Sequence, residues 1–218
     1  MNRTILLIVV SFCGLLFIPS ESFPQENKQA TRVIHVFVAL CDNENQGIVP
    51  VPASIGNGQD PHRNLYWGAG YGVRTYFSRS SQWDLVEKIS DPAANILERC
   101  IFQHKRKNVI LVADAYDGAR IRQTIIDFFA ASSGHQIEEL QVNGTNISAG
   151  GGAGLVAYVG HNGLMEFDVP NPPTPITPHD KDAIMLACIS KGYFSSLLSQ
   201  TGANPLVWTT GLMAPEAY

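Results

Sequence analysis

The residues best suited to chemistry are a histidine and a cysteine that each follow a short apolar run. His161 belongs to residues 155–163, LVAYVGHNG, and Cys188 belongs to residues 182–190, DAIMLACIS. Apolar runs of this length, bounded by turn residues, indicate buried strands. A cysteine with a histidine near it in space is the minimal set for a thiol nucleophile and its proton partner. The pair therefore predicts a cysteine hydrolase, provided that the two strands lie side by side and parallel.

The elements around this pair predict an α/β domain. Parallel strands would bring both side chains to the carboxyl edge of a sheet, where open α/β sheets bind ligands. The apolar patterns predict further strands at residues 32–41, 108–114 and 205–210 and helices at residues 92–105, 117–131 and 192–200. Strands that alternate with helices indicate a mostly parallel sheet. We therefore expect a three-layer sandwich around a central sheet of about five strands.

The chain is expected to hold one such domain over residues 32–218. Residues 42–90, rich in Asn, Gly, Pro and Ser, are interpreted as an insertion into it. Residues 132–154, which include the run GGGAG, are expected to form a flexible surface loop. No helix is predicted after the strand at residues 205–210, and we expect either truncation or an incomplete fold at this end.

The first residues have the pattern of a secretory signal peptide. A basic start precedes the apolar run at residues 5–18, and small residues precede a cut after Ser22. The apolar run is short for a membrane span, which needs about 20 residues. We expect removal of residues 1–22, a polar leader at residues 23–31, and a secreted or periplasmic protein without a stable membrane anchor.

Charge and motifs exclude several classes of partner. The chain of 218 residues has a net charge of −4 and no run rich in Lys or Arg, which excludes nucleic acid. It has no C-x-x-C or H-E-x-x-H motif, and its other histidines are scattered singly. We therefore expect no metal and no other cofactor.

The remaining cysteines leave a second interpretation open. A disulfide between Cys41 and Cys100 would leave Cys188 as a small buried hydrophobic residue. Cys41 also ends a predicted strand, which makes it a rival nucleophile.

The two strand ends resemble the caspase, gingipain, legumain and metacaspase group of cysteine peptidases. The His-Gly pair of that group corresponds here to His161-Asn162-Gly163, with an additional Asn, and its cysteine element corresponds to Ala187-Cys188. The resemblance covers about residues 32–210. It implies a caspase-like sheet, a Cys/His dyad and a peptide or protein substrate. The apolar residues 185–187 give no basis for naming a cleavage residue.

The mechanism expected from these residues is nucleophilic attack on a peptide bond. Cys188 precedes a helix, whose amino end favours a thiolate, and His161 would protonate the leaving amine. The backbone N–H groups of Gly163 and Cys188 are the expected oxyanion donors. Four side chains near neighbouring strand ends are expected to line the cleft: Asp42, Asp114, Tyr116 and Asp117. For Asp114, Tyr116 and Asp117, the alternative interpretation is a helix cap followed by a solvated loop.

Two functions from other classes stay open. The first is an inactive caspase-like domain that binds a peptide or protein partner in the same cleft. The second is an exported flavodoxin-like module that binds a small ligand through residues 114–118 and Asp42.

Overall fold

The computed structural model of the chain describes residues 30–176 and 180–213. The predicted signal peptide and residues 23–29 of the predicted leader lie outside this part. Within the described ranges, no helix combines the length and the apolar character needed to cross a membrane. The elements follow in chain order: β1 (Arg32–Ala39), α1 (Val73–Arg79), β2 (Trp83–Ala93), β3 (Ile96–His104), β4 (Val109–Tyr116), α2 (Ile121–Ser132), β5 (Ile137–Val142), β6 (Thr145–Gly150), β7 (Leu155–Val159), β8 (Asp182–Leu186), α3 (Ser190–Thr201) and β9 (Asn204–Trp208).

The described residues form a seven-stranded sheet in the order β2-β3-β4-β1-β7-β8-β9 and a separate two-stranded hairpin of β5 and β6. The pairs β4–β1, β1–β7, β7–β8 and β8–β9 are parallel, whereas β2 and β3 add an antiparallel edge. The α/β class and the mostly parallel sheet are confirmed. The five predicted strands are all present, and the central sheet has two more than expected.

The sheet is buried by different elements on its two faces. On one face α2 and α3 contribute an aromatic cluster with the sheet, in which Phe128, Tyr158 and Phe194 are fully buried. On the other face the segment between β1 and α1 supplies Trp67, and α1 supplies Phe77. The β-branched and aromatic residues of the central strands suit burial on both faces. This arrangement leaves the carboxyl ends of β7 and β8 open between the two layers.

The helix predicted at residues 92–105 is wrong. These residues form the end of β2, a two-residue turn at Ala94 and Asn95, and β3. Asn95 has φ of +66°, which suits a tight hairpin turn. Pro92 lies in the edge strand at a register shift, one of the few places where a sheet tolerates proline. The apolar spacing of Ile96, Leu97, Cys100 and Ile101 fitted a helix because a strand buried on both faces carries no alternation that would distinguish it.

The surface loop expected at residues 132–154 is also wrong in most of its length. Residues 137–150 form the β5–β6 hairpin, closed by Asn143 and Gly144 with φ of +49° and +76°. Asn-Gly is the strongest short sequence signal for such a turn because both positions require a left-handed backbone. The hairpin packs Val142 and Ile147 into the core beside α2.

Candidate active site

The two predicted reactive residues emerge at the same edge of the sheet. In the parallel pair of β7 and β8, Val159 lies opposite Leu186. His161 follows Val159 by two positions and Cys188 follows Leu186 by two positions, so the two residues leave their strands at the same level. Both line one open cleft of about 510 Å³. The prediction that the two strands are adjacent and parallel is confirmed, and His161 and Cys188 line the same cleft.

His161 is placed by a turn that only glycine can make. Gly160 has φ of +153°, and a Cβ at this position would lie 2.9 Å from the carbonyl oxygen of Ala39 in β1. The chain can therefore pass close to β1 before it presents His161. The hydroxyl of the buried Tyr158 donates to the carbonyl of His161 at 2.7 Å, which fixes the backbone at that residue.

Glu166 orients the imidazole, a role that the sequence did not reveal. Residues 163–165 form a 3₁₀ turn that returns Glu166 to His161, and Nε2 of His161 donates to Oε1 of Glu166. The same carboxylate oxygen accepts the backbone N–H of Gly47 at 2.9 Å. Because a carboxylate only accepts hydrogen bonds, Nε2 carries the proton and Nδ1 is left to accept one. The sequence signal was only a Glu five residues after the histidine, which is too weak to single out.

Cys188 lies in a sharp turn between β8 and α3. Ile189, the next residue, has φ of +49°, an unusual conformation for a β-branched side chain that indicates local strain. Two hydroxyl groups stabilise the turn. That of Ser190 donates to the carbonyl of Met185, and that of Thr209 donates to the carbonyl of Ala187. The turn thereby holds Cys188, which is half-buried, at the rim of the cleft.

The sulfur of Cys188 accepts a backbone hydrogen bond from the segment that follows β9. The N–H of Met213 lies 3.3 Å from Sγ. The amino end of α3 was predicted to favour a thiolate, yet its first amides are engaged: those of Ile189 and Lys191 donate to the carbonyls of Gly211 and Thr209. The dipole of α3 still acts near the sulfur, but the direct N–H donor to it comes from Met213.

Asn162, the residue that interrupts the expected His-Gly pair, links the two reactive elements. Its Nδ2 donates to the carbonyl of Cys188 at 2.6 Å. The side chain is fully buried, and its Oδ1 has no hydrogen-bond partner in the described part of the chain. An unsatisfied buried acceptor costs about 1–3 kcal/mol. The inserted Asn therefore tethers the histidine loop to the cysteine loop at some cost in stability.

The predicted oxyanion donor Gly163 is occupied. Its N–H donates to the carbonyl of His161 at 3.1 Å. A tight backbone turn after His161 uses the amide that was expected to bind the oxyanion. Of the two predicted donors, this leaves the N–H of Cys188 for a developing oxyanion.

Asp114 lies in a buried ionic network away from this cleft. Arg99 donates two hydrogen bonds to it at 2.6 and 2.7 Å and two more to Glu138 in β5. His35 in β1 donates from Nε2 to Asp114 at 3.0 Å and accepts the N–H of Gly150 at Nδ1. Burial alone would raise the pKa of Asp114, but the hydrogen bonds and charge of Arg99, together with His35, outweigh it and hold that pKa below its ordinary value. The network joins the sheet to the β5–β6 hairpin.

The other residues expected in the cleft also have structural partners elsewhere. Asp42 is buried after β1 and accepts hydrogen bonds from the backbone of Glu44 and from Gln59. Gln59 also donates to Asp117 at 2.7 Å, and Asp117 caps the 3₁₀ turn at residues 118–120. Tyr116 donates to Asp127 in α2. None of these side chains lines the His161–Cys188 cleft. The structure therefore agrees with the helix-cap interpretation of Asp117, whereas Asp114 and Tyr116 line a separate cavity of about 270 Å³.

The three described cysteines are all free, so the interpretation with a Cys41–Cys100 disulfide is wrong. Cys41 and Cys100 are fully buried, and burial raises the pKa of Cys41 to about 11 and that of Cys100 to about 12. A thiol nucleophile reacts as the thiolate, which burial of this kind disfavours. Cys41 is therefore a poorer candidate nucleophile than Cys188.

Among the described residues, no group of three or more His, Cys, Asp or Glu side chains is arranged to hold a metal ion. The site consists of His161, Glu166, Asn162 and Cys188. No protein-family model, curated protein or solved structure that was compared with this chain matches it.

Proposed function

We propose that the protein is a cysteine peptidase of caspase-like architecture that uses Cys188 as nucleophile and His161 as its proton partner. The observation that carries the proposal is the position of the two residues at equal distances past two adjacent parallel strands, where both line one cleft. Glu166 adds the orienting group of a nucleophile–base–orienter arrangement. The order of the parallel strands, β4-β1-β7-β8-β9, fits a caspase-like sheet and a flavodoxin-like one equally, so the site rather than the sheet supports the proposal.

The chemistry follows from the groups present. Sγ of Cys188 gives its proton to Nδ1 of His161 and attacks the carbonyl carbon of the peptide bond. The N–H of Cys188 stabilises the oxyanion, a contribution typically worth about 3–4 kcal/mol per donor. His161 then gives the proton to the departing amine nitrogen as the C–N bond breaks. Water, deprotonated by the same imidazole, attacks the thioester, and its hydrolysis releases the acid and restores the thiol.

The direct test is alkylation of the thiol followed by a peptidase assay. At pH 7, iodoacetamide is expected to modify Cys188 faster than the two buried cysteines, as read by mass spectrometry of the digested protein. Cys188→Ala should remove that adduct and all peptide hydrolysis. The matched control is Cys41→Ala, which removes a buried thiol and should leave both intact. Hydrolysis that persists in Cys188→Ala would refute the proposal.

One observation favours the inactive, peptide-binding alternative. The N–H of Gly163 donates within its own turn, so the N–H of Cys188 is the one predicted oxyanion donor that is left, where the mechanism calls for two. That alternative predicts that a peptide binds in the cleft and that Cys188 is alkylated without any hydrolysis of peptides.

A further inference from the structure

The cleft beside His161 and Cys188 is apolar. One wall is formed by residues 47–52 together with Leu65, and the other by Met165 and Leu212. Among the described residues that line the cleft, none is Asp, Glu, Lys or Arg, so a charge there comes from His161 or from Cys188 as a thiolate. Its volume of about 510 Å³ lies in the range of ligand-binding pockets and exceeds the needs of a single side chain.

The apolar wall at residues 47–52 is held open by polar contacts at both ends. Gly47 donates its N–H to Glu166, and Val51 exchanges two hydrogen bonds with the side chain of Asn43, at 2.8 and 3.0 Å. Pro50 and Pro52 further restrict the backbone between and beside these contacts. These contacts fix the backbone of the wall near both ends.

Three large apolar side chains around the cleft are exposed to solvent. Val49 is 88 % exposed, Leu212 is 76 % exposed and Met165 is 42 % exposed. Exposed apolar residues grouped around one concavity indicate an interaction site rather than ordinary surface. An acidic side chain that entered this cleft would lose its hydration near the carboxylate of Glu166, and a basic one would find that carboxylate already bonded to His161 and Gly47. An apolar side chain would gain by burial.

We infer that this site, if it acts as the peptidase proposed above, selects a large uncharged side chain, such as that of Leu or Met, on the acyl side of the bond that it cleaves. Acidic and basic residues at that position are excluded by desolvation. The selectivity comes from the apolar wall at residues 47–52 with Leu65, and the substrate class is an unstructured, apolar peptide segment.

The inference is tested with three peptidyl acyloxymethyl ketones that differ only in the residue next to the ketone: Leu, Arg or Asp. The thiolate attacks the methylene carbon, the C–O bond breaks and a carboxylate leaves, so each labelling event gives a stable thioether. On the full chain at pH 7, we expect the Leu probe to label Cys188 about 100-fold faster than the charged probes. Iodoacetamide, which has no such side chain, supplies the reference rate.

Two variants add a charge to the wall. Leu65→Glu should slow the Leu probe and speed the Arg probe at least 10-fold, and Val49→Asp, at an exposed position, should do the same to a smaller extent without a risk to folding. The matched control is Leu85→Glu on the exposed edge strand, where Leu85 is 45 % exposed and remote from the cleft residues; all three rates should stay unchanged.

The outcomes separate the two claims. If iodoacetamide labels Cys188 while the Arg or Asp probe is as fast as the Leu probe, the selectivity is refuted and the nucleophile stands. If Val49→Asp leaves the Arg probe unchanged, the wall does not act on the substrate and the inference is refuted. If no reagent labels Cys188, the proposed function fails and the selectivity fails with it.

Discussion

Replacing Glu166 with Gln tests whether the carboxylate assists the imidazole. Gln keeps the shape of the side chain and an oxygen that can accept from His161 and Gly47, so the substitution removes mainly the negative charge. A hydrogen bond to a charged group contributes about 1.5–3 kcal/mol and a neutral one about 0.5–1.5 kcal/mol. The Glu166 side chain is one third exposed, and solvent reduces the difference to about 1 kcal/mol. Because about 1.4 kcal/mol corresponds to a factor of ten, the thiolate–imidazolium pair should be about 5-fold less populated in Glu166→Gln.

The assay is the second-order rate constant of Cys188 alkylation by iodoacetamide between pH 6 and pH 10. At pH 7 the wild type should react about 5-fold faster than Glu166→Gln, since the thiolate there depends on the proton held by His161. Near pH 10 hydroxide removes the thiol proton directly, and the two rates should converge. Glu87→Gln, an exposed carboxylate on β2, is the matched control and should follow the wild type at every pH.

The result that would refute this reasoning is equal rates at pH 7 for the wild type and Glu166→Gln. Cys188 would then remain a nucleophile, but Glu166 would only anchor Gly47. A constant 5-fold difference up to pH 10 would also refute it, because a change in access to the sulfur, rather than in its ionisation, would be the cause.

Three further predictions concern the structure. Arg99→Met leaves Asp114 as a buried carboxylate without its guanidinium partner, and it should lower the free energy of unfolding, measured with urea, by about 3–5 kcal/mol. The control Arg79→Met, at an exposed position, should change that free energy by less than about 0.5 kcal/mol. The pKa of Asp114 is lower in the folded chain than in the unfolded chain, so its contribution to the free energy of unfolding is complete above the unfolded pKa of about 3.9 and is lost as the pH falls below that value. The urea midpoint of the wild type should therefore decrease in that pH range. Asp114→Asn should be less stable than the wild type at pH 7, but its urea midpoint should decrease less as the pH falls. Asn162→Ala removes both the hydrogen bond to Cys188 and the unpaired Oδ1, so the free energy of unfolding should fall by no more than about 1.5 kcal/mol. The rate of peptide hydrolysis should fall at least 10-fold. A loss of hydrolysis no larger than the loss of folded protein would contradict the role of Asn162 as a tether.

The sequence predicted the central part of the fold because its signals there were local. Each of the parallel strands is a short apolar run between turn residues, and α2 and α3 carry a clear apolar stripe. The prediction failed at β3 because a strand buried on both faces lacks alternation. It failed at residues 137–150 because the strands beside the Asn143-Gly144 turn are largely polar and carry no apolar run. Pairing β7 with β8 was enough to bring His161 and Cys188 to one cleft.

The rest of the site could not be predicted because it depends on contacts between distant residues. Gly47, Glu166 and Met213 meet at the cleft only in the folded chain. Asp114 lies at a predicted strand end, where a cleft residue is expected, but its partner Arg99 lies in β3, where the apolar pattern predicts a helix. The buried ion pair therefore appeared in the sequence as an isolated acid at a strand end.

The contact between Met213 and the sulfur has a consequence for how the site is assembled. The thiol obtains its amide donor from a segment that follows the last strand, and the imidazole is oriented by a carboxylate anchored to Gly47, near the first strand. A piece of the chain that holds both His161 and Cys188 but lacks either flank would contain the reactive atoms without their surroundings. During synthesis the imidazole and the thiol would therefore lack these partners until the segments that follow β1 and β9 had both packed at the cleft.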